Sequence, residues 1–273
     1  MSSYKTMNNL LGIYEKALPQ SPWDEQYELA SLAGFDFIEL SIDANRLNKL
    51  DYTNDQIQEI KNAANKYHMS IETLVLSANR YYPLGDKQLR NQGIQIVKKA
   101  IILASKLGVK VIQLAAYDVY GKSSTDESKK LYIDALKEIL EFNEDYNITL
   151  AIEVLEDVPH LNKSKKLVEL LSLINHPKLK EYADTGNLVF NGFDPLQDLK
   201  DAKNYMVAIH IKDAIYHNEH NIGYGEGEIN FDEIFTYLKQ INYTGYLVSE
   251  CWYEKDYVPN LKQINDFIRS KMI

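Results

Sequence analysis

Four acidic or imidazole side chains stand where apolar runs end. Glu153 lies inside Ala151–Leu155, Asp184 follows Glu181-Tyr182-Ala183, His210 closes Val207-Ala208-Ile209, and Glu250 ends Tyr246–Ser249. A carboxylate in such a setting is costly unless it is paired or holds a cation. Taken singly, each has a plainer reading. A strand-end Glu or His often anchors a loop, and Asp184-Thr185-Gly186-Asn187 reads as a turn or a helix cap. Jointly they ask for more, because three carboxylates and one imidazole cannot all neutralise one another. One divalent ion held by three oxygens and a nitrogen resolves the conflict, and that donor set suits Mn, Co, Zn or Mg.

The elements that must bring them together alternate in type. Tyr205–Asp213 is the clearest: Met206-Val207-Ala208-Ile209 reads as a buried strand that ends abruptly in His210, Lys212 and Asp213. Parallel strands covered on both faces are nearly all apolar, and their C-terminal ends are where active sites sit. Further strands are expected at Leu10–Tyr14, Phe35–Ile42, Ser70–Leu76, Val109–Leu114, Thr149–Leu155, Leu179–Ala183 (shorter and weaker) and Gly245–Ser249. Between them, helical spacing covers Trp23–Ala33, Thr53–Tyr67, Asp86–Leu107, Ser124–Tyr146, Lys163–Asn175, a short stretch after Asp194-Pro195, Phe231–Ile241 and Tyr257–Lys271. Eight strand–helix pairs without a linker predict a single-domain α/β fold over residues 1–273, a closed (β/α)8 TIM barrel. An open doubly wound sheet would carry a Gly-rich dinucleotide fingerprint after its first strand, and none is present.

Composition narrows the partners. The length of 273 residues fits one barrel of about 250. No run approaches the ~20 apolar residues of a membrane span, and Met1–Leu10 lacks the pattern of a secretory leader. A single cysteine, Cys251, rules out an internal disulfide and fits a reducing cytoplasm. A net charge of −9 argues against a broad nucleic-acid surface. Cys251 reads as packing, and His217-x-x-His220 as a solvated loop. Trp252 is expected to wall the pocket or the barrel rim.

The run Ala183-Asp184-Thr185-Gly186-Asn187, the sequence His210-Ile211-Lys212-Asp213 and the strand-end Glu153 and Glu250 resemble the xylose-isomerase-like barrels of sugar isomerases and epimerases. Within them the resemblance is to the L-ribulose-5-phosphate (L-xylulose-5-phosphate) 3-epimerases. It is carried by Leu11–Pro19, Phe37–Asp43, Ser77–Arg80, Val111–Tyr120, Gly225-Glu226-Gly227 and Glu250-Cys251-Trp252, and runs nearly end to end. The resemblance implies that Glu153, Asp184, His210 and Glu250 bind one divalent ion, that Glu153 and Glu250 are the acid/base pair, and that the protein is a homodimer. Epimerising C3 of a ketose needs a proton removed from one face and returned to the other, so two groups must flank the carbon. A Lewis acid would stabilise the developing enediolate.

In the related epimerases of free ketoses, a His stands three residues after the Asp ligand and an Arg six after the His ligand. Here these positions hold Asn187 and Tyr216, which favours a sugar phosphate. Candidate substrate contacts are Arg80, Lys16, Asn187 and the Gly223–Gly227 segment, with the backbone of Gly225 able to approach an oxyanion. A helix start near residues 162–164 would add a dipole-favoured contact. Glu39 is expected to hydrogen-bond the substrate or a ligand side chain. The rivals are a ketose–aldose isomerase, a dehydratase or a free-ketose epimerase on the same barrel. An apurinic-site endonuclease would need three metals and more strand-end histidines, and a non-catalytic sugar-binding barrel would not need both glutamates.

Overall fold

The computed structural model describes residues 6–158, 160–220 and 222–273. The opening residues 1–5, part of the stretch read above for a leader, lie outside them. The strands are β1 (Leu11–Tyr14), β2 (Phe37–Ser41), β3 (Thr73–Leu76), β4 (Val111–Ala115), β5 (Thr149–Glu153), β6 (Leu179–Asp184), β7 (Met206–Ile211) and β8 (Tyr246–Ser249). Each pairs in parallel with the next and β8 returns to β1, which closes the expected barrel. Helices α1 (Trp23–Ala33), α2 (Asn54–Lys66), α3 (Arg90–Leu107), α4 (Asp126–Phe142) and α5 (Ser164–Ile174) follow the first five strands. Two, α6 (Thr185–Phe190) and α7 (Pro195–Ala202), follow β6; α8 (Phe231–Gln240) and α9 (Leu261–Met272) follow β7 and β8. No helix among the described residues is long and apolar enough to cross a membrane.

Local chemistry sets the ends. Thr53 accepts from Gln56 N while the Gln56 side chain accepts from Thr53 N, a reciprocal cap on α2. Gly34 and Gly108 end α1 and α3 at φ 94° and 89°, a backbone region that L side chains avoid. Some boundaries differ from the sequence reading. α3 starts at Arg90 rather than Asp86 because the Asp86 carboxylate turns back to accept from Gln88 N and Leu89 N. α9 starts at Leu261 rather than Tyr257, since Asn260 caps it and Tyr257 bridges to Glu254. β6, expected to be short and weak, spans six residues.

The inside of the barrel is built by strand alternation. Phe37, Val111, Ala151, Tyr182, Ala208 and Val248 form an apolar plug of their own, separate from the larger core between strands and helices. Gly12 makes the room this needs: a Cβ there would sit 2.4 Å from the Phe37 ring. Two residues further along each of these six strands, on the same face, come Glu39, Gln113, Glu153, Asp184, His210 and Glu250. The apolar plug is the floor of the site, and the next inward position on those strands carries its chemistry.

On the outer side of β6, Glu181 is fully buried. Ser164 Oγ donates to its Oε1 at 2.5 Å, and Oε2 has no partner. Burial, with Asp198 and Asp201 nearby, lifts its carboxyl to about 8 from 4.5. The folded state therefore holds this proton more tightly than the unfolded chain. Its contribution is intact below about pH 4.5 and declines by about 1.4 kcal/mol per pH unit as pH rises toward 8. Glu181→Gln should thus match the wild type in melting temperature near pH 5 and exceed it increasingly up to pH 8. A difference that does not change with pH would show that Glu181 is not held protonated.

Candidate active site

At the C-terminal mouth of the barrel a cavity of about 530 Å³ is lined by Tyr14, Gln113, Glu153, Asn187, Lys212 and Glu250, among others. At its base, Glu153, Asp184, His210 and Glu250 present one ligand atom each, all within 4.8 Å of one another. They end β5, β6 and β7 or follow β8, as expected. His210 is wholly buried and held from both sides. Its Nε2 lies 2.7 Å from Glu39 Oε2, and its Nδ1 lies 2.6 Å from Glu153 Oε1. The same Nδ1 is 3.6 Å from both Asp184 Oδ2 and Glu250 Oε2. Asp184 also caps α6, its Oδ1 accepting from Asn187 N at 2.5 Å, so the turn-or-cap reading of this motif and its place in the site are both true.

The electrostatics expose a shortage of positive charge. Burial pushes the Glu153 and Asp184 carboxyls above their ordinary range. Burial opposes a charge on His210, yet Glu39, Glu153 and Glu250 raise its basicity well above normal. Glu250 is pushed up by burial too, but Lys212 and His210 outweigh this and hold it at about 2. Asp184 Oδ2 and Glu250 Oε2 are buried and make no hydrogen bond; both face the Lys212 ammonium as ion pairs, at 3.6 Å and 3.1 Å. Carboxylate oxygens that make no hydrogen bond and converge on an imidazole nitrogen are what a divalent cation would satisfy. The residues fit such an ion.

The other expected contacts divide. Lys16 and Arg80 line the cavity, paired with Asp43 and Glu156 at 2.8 Å each. Asn187 lines it as well, its Oδ1 accepting from Lys212 Nζ at 2.8 Å. Glu39 does not reach it as a substrate contact. It is fully buried behind His210, and its Oε1 accepts from Thr73 Oγ1 at 2.7 Å and Tyr182 OH at 2.5 Å. Gly225 is also corrected: its amide, like that of Gly227, donates to Asp213 Oδ2 and is spent inside the loop. The helix start at Ser164 is likewise taken, its N–H donating to Asp198. Trp252 walls the cavity, stacked on His220 with Lys212 Nζ 5.1 Å from its ring centroid. Tyr216 is exposed and packs on His217 instead. Cys251 is buried, its thiol pushed up to about 12 by burial and by Glu250.

Sequence reasoning missed Gln113 as part of the site, and marked Lys212 at the end of its strand without giving it a role. Gln113 Nε2 donates to Glu153 Oε2 at 2.5 Å. Lys212 Nζ donates to Glu219 Oε2 at 2.6 Å and faces Glu250 Oε2 at 3.1 Å. Both lie two residues beyond an inward-facing residue already identified, Val111 and His210, and that period was the available signal.

Residues 27–271 match the family described as xylose isomerase-like TIM barrel. The chain belongs to this family. It is 36% identical, over 96% of its length and 94% of the relative's, to L-ribulose-5-phosphate 3-epimerase UlaE of Escherichia coli O8 (strain IAI1). Among solved structures, 3-keto-D-glucoside 4-epimerase YcjR from E. coli superposes with TM-score 0.79 at 19% identity, covering 96% of this chain and all of that one. A family member from Mycobacterium smegmatis, solved in complex with magnesium, superposes with TM-score 0.74 at 17% identity, over 100% of this chain and 98% of that one. The structural likenesses speak for the fold. With its sequence relatives, the chain is an isomerase-class enzyme, an epimerase.

Glu39 holds the nitrogen of His210 that faces away from the ligand cluster. Such partners fix the ring and raise its basicity, and their loss weakens metal binding about 10- to 100-fold. Glu39→Gln should therefore lower Mn²⁺ affinity by about that factor in a calorimetric titration. Unchanged metal affinity with a raised KM would instead make Glu39 a substrate contact.

Proposed function

We propose that this protein is a metal-dependent 3-epimerase of a ketopentose phosphate, interconverting L-ribulose 5-phosphate and L-xylulose 5-phosphate. The observation that carries this reading is the pair Glu153 and Glu250. They come from β5 and from the end of β8, with two strands between them, and both face the one cavity beside the ligand cluster. Carboxylates so placed flank a bound carbon from two sides. One takes the proton from C3, the electron pair moves onto the C2 oxygen, and the other returns a proton to the opposite face of C3. Glu153, Asp184, His210 and Glu250 would hold one divalent ion, which supplies Lewis-acid stabilisation of negative charge on neighbouring substrate oxygens. Gln113 fixes Glu153, Lys212 fixes Glu250, and Trp252 shields the base of the cavity from water.

The curated relative named for a 5-phosphate sugar supports the phosphorylated substrate. Lys16 and Arg80 are the contacts we assign to the phosphate, being cations of the cavity wall that are more exposed than Lys212. We also assign the protein to the cytoplasm as a homodimer, in keeping with its single buried thiol and its family.

The test is solvent deuterium incorporation at C3 of L-ribulose 5-phosphate, followed by NMR after chelation and after re-addition of Mn²⁺, Co²⁺, Zn²⁺ or Mg²⁺. Metal-dependent label at C3 with formation of L-xylulose 5-phosphate is expected, and Glu153→Gln and Glu250→Gln should each slow it by about 10²–10⁴-fold. Label at C1 with an aldose product would make the enzyme an isomerase of another kind. Separately, Arg80→Ala should raise KM for the phosphorylated ketose by about 10-fold or more while leaving a free ketose nearly unaffected. Equal losses on both substrates would remove Arg80 from the phosphate.

A further inference from the structure

We infer that Gln113 reads the substrate of the proposed epimerisation: its side-chain N–H holds Glu153, and its carbonyl oxygen accepts the C4 hydroxyl of the bound ketose. The inference rests on the epimerase reading above. Gln113 is only 1% exposed, lines the cavity and donates from Nε2 to Glu153 Oε2. Glu153 accepts this N–H, so the amide turns its carbonyl away from it. That carbonyl oxygen is buried with no partner. A buried acceptor without a donor is costly to keep, which points to a donor brought by the ligand.

The chemistry of the missing donor is restricted. An amide carbonyl cannot accept from a ketone or phosphate oxygen, since these are acceptors themselves. The C2 oxygen and the ionised phosphate are thereby excluded, and a hydroxyl remains. The C3 hydroxyl changes sides during epimerisation, so one fixed acceptor cannot serve both epimers. The C1 and C4 hydroxyls both keep their places throughout; C4 is the one that adjoins C3, the carbon served by Glu153, to which Gln113 donates. Beside β4, Ser77 just beyond β3 adds a second hydroxyl-reading group. Its Oγ is also buried and unpartnered, Ser77 lines the same cavity, and β3 and β4 pair directly, Val75 against Gln113. A hydroxyl both donates and accepts, so Ser77 can complete the contact from the other side.

The experiment compares L-ribulose 5-phosphate with its 4-deoxy and 1-deoxy analogues on the metal-loaded wild type, Gln113→Leu and Gln113→Met. It reads kcat/KM for epimerisation and, by calorimetry, the Kd of each ketose. The wild type should disfavour the 4-deoxy analogue by roughly 10- to 100-fold and the 1-deoxy analogue by no more than about 3-fold. In both variants the parent ketose should fall toward the 4-deoxy level, so that the ratio closes to within about 3-fold. A wild type indifferent to the C4 hydroxyl, or a discrimination that persists in the variants, overturns the assignment. Discrimination against the 1-deoxy analogue alone overturns it too. In either case turnover of the parent leaves the epimerase standing, whereas a wild type that epimerises no ketose removes both readings. If one variant melts far below the wild type, the other carries the comparison, and a wild type indifferent to the C4 hydroxyl overturns the assignment in any case.

Discussion

The line Glu39–His210–Glu153 is the constraint on which the site depends. An imidazole with 0% exposure has a carboxylate within 2.7 Å of each ring nitrogen. Asp184, Glu250 and Glu219 bring the carboxylates around His210 and Lys212 to five. One ammonium and one imidazole cannot offset that much buried negative charge. Either protons or a cation must enter, and the two solutions use the same place, since His210 Nδ1 is the point on which the carboxylates converge. Glu39 decides which nitrogen that is. By engaging Nε2 from behind, it leaves Nδ1 as the face turned to the cavity.

Everything below this line exists to hold it at one height. The apolar floor of Phe37, Val111, Ala151, Tyr182, Ala208 and Val248 excludes water from beneath the polar residues. Without it, the carboxylates would be hydrated from two sides and their interactions weakened by screening. The strand period then carries each chain from floor to site in two residues, and parallel register sets the neighbours, Asp184 beside His210 and Gln113 beside Ala151. Gly12 is the local concession: the Phe37 ring fills the space a β1 side chain would have taken.

This explains what was legible in the sequence. The barrel was, because eight apolar runs punctuated by caps and helix-ending glycines leave few topologies. The gathering of Glu153, Asp184, His210 and Glu250 was, because a charge at the end of an apolar run is an anomaly seen in one dimension. Glu39 was visible as a residue, but its direction was not, since only the closed barrel puts β2 across from β7. Gly225 misled for a similar reason. A glycine-rich loop offers free amides in sequence, and what consumes them here is Asp213, 12 residues earlier. Gln113 escaped because an amide in a strand carries no charge to draw notice, although its register from Val111 marked it as inward.

Lys212 shows how the loops are drawn into the same design. It points inward two residues after His210, and its Nζ meets Asn187 Oδ1, Glu219 Oε2 and Glu250 Oε2. Of the three N–H groups of an ammonium, two are donated to Asn187 and Glu219, and the charge faces Glu250 as an ion pair. Lys212 therefore acts on the chemistry through Glu250. Glu219 belongs to the segment between β7 and α8, whose His220 stacks on Trp252. The segment is further pinned where Tyr224 OH donates to Ile211 O at 2.5 Å. A single buried cation thus ties Glu250, the α6 end of the site and a cavity-lining loop into one unit. Removing it would take the ammonium from the buried Glu219 and leave Glu250 facing His210 alone, which costs more than the pairing itself contributes.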